Sequence, residues 1–265
     1  MTYPIYQVDA FTDRLFRGNP AAVMPLDEWL DDSLLQALAQ ENNLSETAFM
    51  VQRDDAWDLR WFTPAVEVDL CGHATLAAAH VLYEHLGCSD DAVVFHTRGG
   101  ELRVTREDGA LTLDFPRREL HASSVDVKVC DALGAVASEA LLGPDGSGPL
   151  LCVYEFESDI AALQPDFPAL MAATAHNVIV TAPGDDCDVV SRFFAPAVGV
   201  DEDPVTGSAH CSLVPYWAAR LGRAELACRQ ISPRGGELRC AIKGDRVFMA
   251  GSAITFMTGE VAALV

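Results

Sequence analysis

Three segments of the 265-residue chain recur in the same order, and no other feature limits the possible folds as strongly. The matched pairs are residues 60–69 with 192–201, 72–87 with 207–222, and 98–103 with 234–239. The third pair is identical in both copies. The number of positions between matched residues, the offset, increases only from 132 (192 − 60) for the first pair to 136 (234 − 98) for the third. The repeat predicts two halves of the same architecture, related by a pseudo-twofold axis.

Each half is predicted to contain a buried helix and several short strands. Residues 73–86 carry small apolar side chains at helical spacing with Gly87 as a stop, and the counterpart 208–221 contains Pro215, which predicts a kink. An amphipathic helix is expected at 32–41, and strands at 3–11, 48–51, 102–105, 111–115 and 178–181. The predicted fold class is α+β, with each half a sheet or barrel wrapped around its central helix. The halves are residues 1–117 and 118–265, with the last strand free to return to the first half.

Composition and motifs exclude several classes of function. The chain has 18 Lys and Arg against 39 Asp and Glu, a net charge of -21, which repels nucleic acid and anionic membranes. No apolar segment has the length of a membrane span, and no basic leader is visible, so a cytoplasmic protein is expected. The eight cysteines form no C-x-x-C pair, the histidines show no H-E-x-x-H spacing, and phosphate-binding glycine motifs are absent. Neither a metal nor a nucleotide cofactor is therefore expected.

The starts of the two central helices are candidate anion sites. A helix start offers unpaired N–H groups and the positive end of the helix dipole, which suits a substrate carboxylate. Gly72 and Gly207 allow close backbone approach, and Thr206 and Ser208 add hydroxyl donors. The alternative is that these residues only cap core helices.

Titratable side chains stand beside these helix starts. Cys71 and His73 flank Gly72, and Asp203 precedes the second turn. A lone histidine is more often structural than catalytic, and an Asp before Pro is usually a turn residue. Their position beside a predicted anion site favours a functional role.

Five motifs together resemble the phenazine-biosynthesis PhzF-like family, in the family's order from residue 9 to about 240. They are Gly18-Asn19-Pro20-Ala21-Ala22-Val23, Asn43-Leu44-Ser45-Glu46-Thr47-Ala48-Phe49, Phe62-Thr63-Pro64, Glu67-Val68-Asp69-Leu70-Cys71-Gly72-His73-Ala74-Thr75 and Glu202-Asp203-Pro204-Val205-Thr206-Gly207-Ser208-Ala209-His210. The resemblance implies a diaminopimelate-epimerase-like fold, a homodimer, and an isomerase of the type that acts on trans-2,3-dihydro-3-hydroxyanthranilate without cofactor or metal.

The resemblance also implies the roles of individual residues. Glu46 would take a proton from one substrate carbon and return it to another, whereas its local sequence alone indicates a surface charge. His73 and Asp203 would hold and polarise the substrate. The substrate-binding residues would be Ser45, Cys71, Gly72, Thr206, Gly207 and Ser208, with the Gly207–Ser208 turn holding a carboxylate.

Two other functions are also consistent with these residues. One is an epimerase or racemase that uses Glu46 with Asp203 or His73 on opposite faces of the substrate. A two-thiol racemase is improbable, because the repeat partner of Cys71 is Thr206. Cys71 could still act as an acid with a pKa lowered by the helix start, or simply pack. The other function is a catalytically idle binding protein.

Overall fold

A computed structural model describes residues 2–107 and 109–262. The chain forms two compact units, Met1–Phe115 with Phe248–Val265, and Pro116–Val247. The helices are α1 (Asp32–Asn42), α2 (Gly72–Glu84), α3 (Val127–Leu133), α4 (Glu157–Ala161), α5 (Phe167–Ala173) and α6 (Gly207–Leu221). The strands are β1 (Tyr3–Ala10), β2 (Asn19–Leu26), β3 (Glu46–Arg53), β4 (Ala56–Phe62), β5 (Glu67–Val68), β6 (Ala92–Thr97), β7 (Gly100–Glu107), β8 (Ala110–Pro116), β9 (His121–Ser123), β10 (Glu139–Leu142), β11 (Leu150–Val153), β12 (Val178–Pro183), β13 (Val189–Ala195), β14 (Val200–Asp203), β15 (Glu225–Gln230), β16 (Gly236–Lys243), β17 (Arg246–Gly251) and β18 (Ala253–Val261).

Both units pair their strands in the same order. In the first unit, β2 and β3 are parallel, β4 is antiparallel to β3 and β5 and parallel to β6, and β7 is antiparallel to β6. In the second unit, β11 and β12 are parallel, β13 is antiparallel to β12 and β14 and parallel to β15, and β16 is antiparallel to β15. The repeat in the sequence is therefore a repeat of one sheet topology. In the first unit, β18 also pairs with β1.

The central helix of the first unit, α2, is buried on nearly every face. It contacts β1, β2, β3 and β18, and its residues Ala74, Ala77, Ala78 and Ala79 are fully buried. Small side chains leave room for strands to approach the helix from several sides, which accounts for the alanine-rich sequence. Because such a helix has no solvated stripe, it is typical of a buried core element.

The central helix of the second unit, α6, accommodates Pro215 in its interior. Proline has no N–H group, so it cannot donate to the carbonyl oxygen of Cys211 one turn earlier. The backbone N–H of Arg118 donates to that Cys211 oxygen instead, at 2.8 Å. The hydrogen bond that the helix loses is therefore replaced from outside the helix.

The helices predicted at 32–41, 73–86 and 208–221 are confirmed, as are the five predicted strands. The strand β2 was not predicted, although it pairs with both β1 and β3. It contains Pro20 and Pro25, which normally argue against a central strand. None of the helices in the described part of the chain combines the length and apolar character that a membrane crossing needs.

Gly18 is expected to be essential for the entry into β2. Its φ is +65°, and a Cβ atom there would collide with the carbonyl oxygen of Ala10. Gly87 in the same unit has a similar φ of +70°, but a Cβ atom there would meet no other atom within 4 Å. We expect Gly87→Ala to lower the free energy of unfolding by about 1 kcal/mol, and Gly18→Ala by roughly 2–4 kcal/mol, because strain and collision add. Urea unfolding measures both values, and equal losses would show that the collision is relieved at no cost.

Candidate active site

Glu46 stands at the first position of β3, directly after a tight turn from α1. Asn43 ends the helix in the left-handed conformation, with φ 50° and ψ 38°, and its N–H donates to Ala39. Asparagine tolerates this conformation better than most residues. The strand β3, which begins at Glu46, pairs in parallel with β2, and Glu46 is opposite Ala21. As a result, only 17% of the Glu46 side chain is exposed.

His73 is the second residue of α2 and faces Glu46. Its Nε2 atom lies 3.0 Å from Oε2 of Glu46, and only 4% of the His73 side chain is exposed. On the other side of the ring, Nδ1 lies 3.1 Å from Nδ2 of Asn19 and 3.5 Å from Sγ of Cys71. The first unit thus gathers a carboxyl group, an imidazole, a thiol and an amide around one buried ring.

The electrostatics of this cluster favour a charged histidine. Burial by itself lowers the pKa of His73, but the side-chain contacts of the ring with Cys71 and Glu46, together with the charge of the Glu46 carboxylate, outweigh burial and hold that pKa above its usual value. The Asn19 amide suits both states of the ring. Its Nδ2 group can donate to a bare Nδ1 of neutral imidazole, and its oxygen can accept from Nδ1–H of imidazolium. The observed Nδ2 contact fits a bare Nδ1, so a proton on Nδ1 requires the Asn19 amide to turn its oxygen toward the ring.

Cys71 is a protonated thiol in this environment. Burial, followed by the charge of Glu46, raises its pKa to about 11. The expectation that the helix start lowers this pKa is wrong, because the cost of burying a thiolate exceeds the contribution of the helix dipole. Cys71 is thus available as a hydrogen-bond partner of His73 rather than as a thiolate.

The predicted residues of the second unit lie around the turn between β14 and α6. Asp203 is buried at the end of β14, and its carboxylate accepts a hydrogen bond from the Thr206 hydroxyl. Gly207 begins α6 and is buried, while Ser208 follows it and is half-buried. Ser45, in the first unit, is half-buried beside Glu46 in the chain.

Gln230 holds this turn together and was not predicted from the sequence. Its side chain is fully buried and accepts from the Thr206 N–H at 2.8 Å. Its Nε2 donates to the Asp203 carbonyl at 2.7 Å and to the Thr206 hydroxyl at 3.1 Å. Strand alternation places Gln230 on the buried face of β15, but alternation does not reveal which polar groups it meets.

Asn19 is the second residue that was not assigned a role. The sequence did indicate a polar contact for Asn19, because a buried asparagine between Gly18 and Pro20 in an otherwise apolar segment requires a polar partner. That partner, His73, lies 54 positions away in the sequence, so only the folded chain identifies it.

One donor atom each from Glu46, Cys71 and His73 lie within 4.8 Å of one another, so these three residues could also hold a metal ion. This set mixes a carboxylate, a thiol and an imidazole. The spacing of these residues in the sequence did not indicate a metal site.

Comparisons with known proteins identify the family. The family model described as phenazine biosynthesis-like protein matches residues 8–259. A protein of Pseudomonas aeruginosa that is named an uncharacterized isomerase is 52% identical over 261 residues, which cover 98% of this chain and 99% of that protein. A crystal structure of a phenazine biosynthesis protein of the PhzF family from Enterococcus faecalis superposes with a TM-score of 0.95 at 45% identity, covering 99% of this chain and 100% of that one.

A more distant structure extends the fold assignment. A hydroxyproline epimerase from Agrobacterium vitis superposes with a TM-score of 0.64 at 12% identity, covering 98% of this chain and 92% of that one. At this identity the likeness concerns the fold alone, and it agrees with the diaminopimelate-epimerase-like architecture of two similar halves. The chain therefore belongs to the phenazine biosynthesis-like family and is an isomerase with the fold that this resemblance implied.

Proposed function

We propose that this isomerase relocates a proton on a small carboxylate-bearing substrate, with Glu46 as the acid and base. The Glu46 carboxylate takes a proton from one carbon, and the electron pair of the broken C–H bond moves into the adjacent unsaturated system. Glu46 then returns the proton to a second carbon. No electrons enter or leave the substrate, so no redox cofactor is required by this chemistry.

The observation that supports this role most directly is the 3.0 Å approach of His73 Nε2 to Oε2 of Glu46. A single carboxyl group that must both accept and donate a proton needs a fixed position. The second oxygen of Glu46 remains to meet a substrate, while His73 orients the first.

The roles of the remaining residues are part of the same proposal. Asp203 and the Gly207–Ser208 turn are proposed to bind the substrate, with the helix N-terminus of α6 suited to a carboxylate. Ser45, Cys71, Gly72 and Thr206 are proposed to complete the contacts. We also propose that the protein functions as a homodimer in the cytoplasm.

The test is turnover of trans-2,3-dihydro-3-hydroxyanthranilate in heavy water, followed by absorbance and by proton NMR. We expect product to form, and deuterium to appear at the carbon that receives the proton whenever the proton on Glu46 exchanges with solvent before its return. Deuterium at a single stereocentre, with inversion and no shift of the double bond, would instead indicate an epimerase or racemase.

A catalytically idle binding protein would leave every such compound unchanged. If folded protein forms no product from this compound and exchanges no hydrogen with it, the proposed substrate is wrong. If it also neither converts nor exchanges hydrogen with a panel of small unsaturated amino and hydroxy acids, the proposed proton transfer is wrong as well.

A further inference from the structure

A second group of potential metal ligands lies in the second unit, among residues that the proposed reaction does not use. His210 comes from α6, Cys228 from β15 and Cys240 from β16. Their exposed fractions are 0%, 3% and 3%. One donor atom of each residue, a ring nitrogen and two sulfurs, lies within 4.8 Å of the other two.

The tautomer of His210 leaves a free electron pair on its second ring nitrogen. The ring atom Nδ1 lies 2.9 Å from the carbonyl oxygen of Thr206. A carbonyl oxygen can only accept, so Nδ1 carries the hydrogen and Nε2 is left as an acceptor. In the described part of the chain, no hydrogen bond reaches the buried Nε2 atom. Metal-binding histidines commonly show this arrangement, in which a backbone carbonyl fixes one nitrogen and the other faces the ion.

The two cysteines share the buried face of one β-hairpin. Cys228 is opposite Leu238, and Cys240 is opposite Leu226, so the two thiols are diagonal neighbours rather than a direct cross-strand pair. Diagonal Cα atoms are about 7–8 Å apart, which exceeds the usual span of a disulfide. A metal ion bridges such a gap, because it accepts sulfurs that are well beyond bonding distance from each other.

We propose that His210, Cys228 and Cys240 form a buried binding site for a thiophilic divalent ion of the zinc class. Two thiolates and a neutral imidazole carry a charge of -2, which a divalent ion cancels, so the loaded site is neutral inside the unit. Zinc bonds of about 2.0–2.3 Å in a tetrahedral arrangement put ligand atoms roughly 3.5–3.8 Å apart. The three donor atoms lie within 4.8 Å of one another before an ion binds.

Ligand binding must release protons, which gives the site a measurable signature. Each cysteine that binds loses its S–H proton and forms a sulfur–metal bond, so one ion displaces two protons. The hydrogen bond with Cys228, together with burial, raises the pKa of the Cys240 thiol, so this proton is present before the ion binds. By contrast, burial lowers the pKa of His210 to about 4, and its Nε2 needs no deprotonation at neutral pH. Binding is therefore expected to weaken as the pH falls.

The site would stabilise the turn that carries Asp203 and Thr206. His210 is bonded directly to the Thr206 carbonyl, and Gln230, two residues after Cys228, holds the Thr206 N–H. An ion that joins α6 to β15 and β16 would hold these groups in place. Its role is structural and does not depend on the proposed proton transfer.

The experiment is a titration of the reduced, chelator-treated full chain with Co²⁺, a spectroscopic substitute for zinc. We expect the near-ultraviolet absorption of cobalt thiolates to saturate at one ion per chain for this site, and Zn²⁺ to abolish it. Cys228→Ala and Cys240→Ala should each remove most of this absorption. The matched control is Cys152→Ala, which removes a fully buried thiol from β11 of the same unit and should leave the absorption intact.

A further variant separates this site from the group around Glu46. Cys71→Ala removes the thiol of that group, and the cobalt absorption should persist. The proposal is overturned if wild type shows no cobalt–thiolate absorption, if the absorption survives in Cys228→Ala and Cys240→Ala, or if Cys71→Ala alone removes it. If either cysteine variant fails to fold, proton release decides, because zinc must displace about two protons per ion from the wild type and from Cys71→Ala.

Discussion

Glu46→Gln is expected to lower the turnover number about 10³-fold, within the range that general acid–base groups contribute. The amide has nearly the shape of the carboxyl group, but it cannot accept a proton from carbon. The effect should fall on turnover rather than on the apparent affinity for substrate, because the contacts that bind substrate stay in place. Initial rates in ordinary and heavy water, measured for wild type and variant, give this value.

The matched control for this variant is Glu41→Gln. Glu41 lies five positions earlier, is exposed on α1, and has the same chemistry without the buried surroundings. We expect its turnover to equal that of wild type. If Glu46→Gln keeps more than about a tenth of wild-type turnover while folded, another group transfers the proton and Glu46 is a binding residue.

Arg192→Met is expected to lower the free energy of unfolding by about 3–5 kcal/mol. The Arg192 guanidinium donates to both carboxylate oxygens of Glu202, at 2.7 and 2.9 Å, and Nη1 also donates to the carbonyls of Ile160 and Leu163. The residue is only 9% exposed. Methionine would leave a buried charge and two carbonyl oxygens without their donor. Urea unfolding followed by tryptophan fluorescence measures the loss.

Two further variants test the cause of that loss. Arg53→Met breaks an ion pair with Asp58 whose side chains are 52% and 32% exposed, and it should cost less than about 1 kcal/mol. Arg192→Met combined with Glu202→Leu removes both charges, and it should recover part of the stability. If the double variant is as unstable as the sum of the single ones, the pair contributes through packing and not through its charges.

The same ion pair occurs in both units, which connects the repeat to stability. In the first unit, Arg60 donates to both oxygens of Glu67 at 2.8 Å each. Arg60 corresponds to Arg192 in the first repeated segment. Glu67 is opposite Phe62 and Glu202 is opposite Phe194, so the two carboxylates hold equivalent places in the sheets, although the repeated segment aligns Glu67 with Gly199 (67 + 132). Arg60 and Glu67 are 7 positions apart, whereas Arg192 and Glu202 are 10 positions apart. The ion pair is therefore retained although the second unit has three additional residues between its partners.

Much of the fold could be predicted because it depends on local patterns. The alanine-rich central helices, the strand alternation and the two repeated copies all follow from residue spacing, which the sequence displays directly. The strand β2 could not be predicted in this way, because its two prolines argue against a strand. The folded protein accommodates both prolines while β2 pairs with β1 and β3. Such tolerance is a property of the assembled sheet and not of the segment.

The candidate site, like the fold, could be predicted only in part from the sequence. The sequence by itself determined the family, the repeat and the residue types at the helix starts, because these are carried by short contiguous motifs. Only the tertiary structure decided that His73 meets Glu46 and Asn19, that Gln230 holds the Thr206 turn, and that burial raises the pKa of Cys71. These contacts join residues 24 to 54 positions apart, and desolvation depends on every atom around a group, so neither can be read from spacing along the chain.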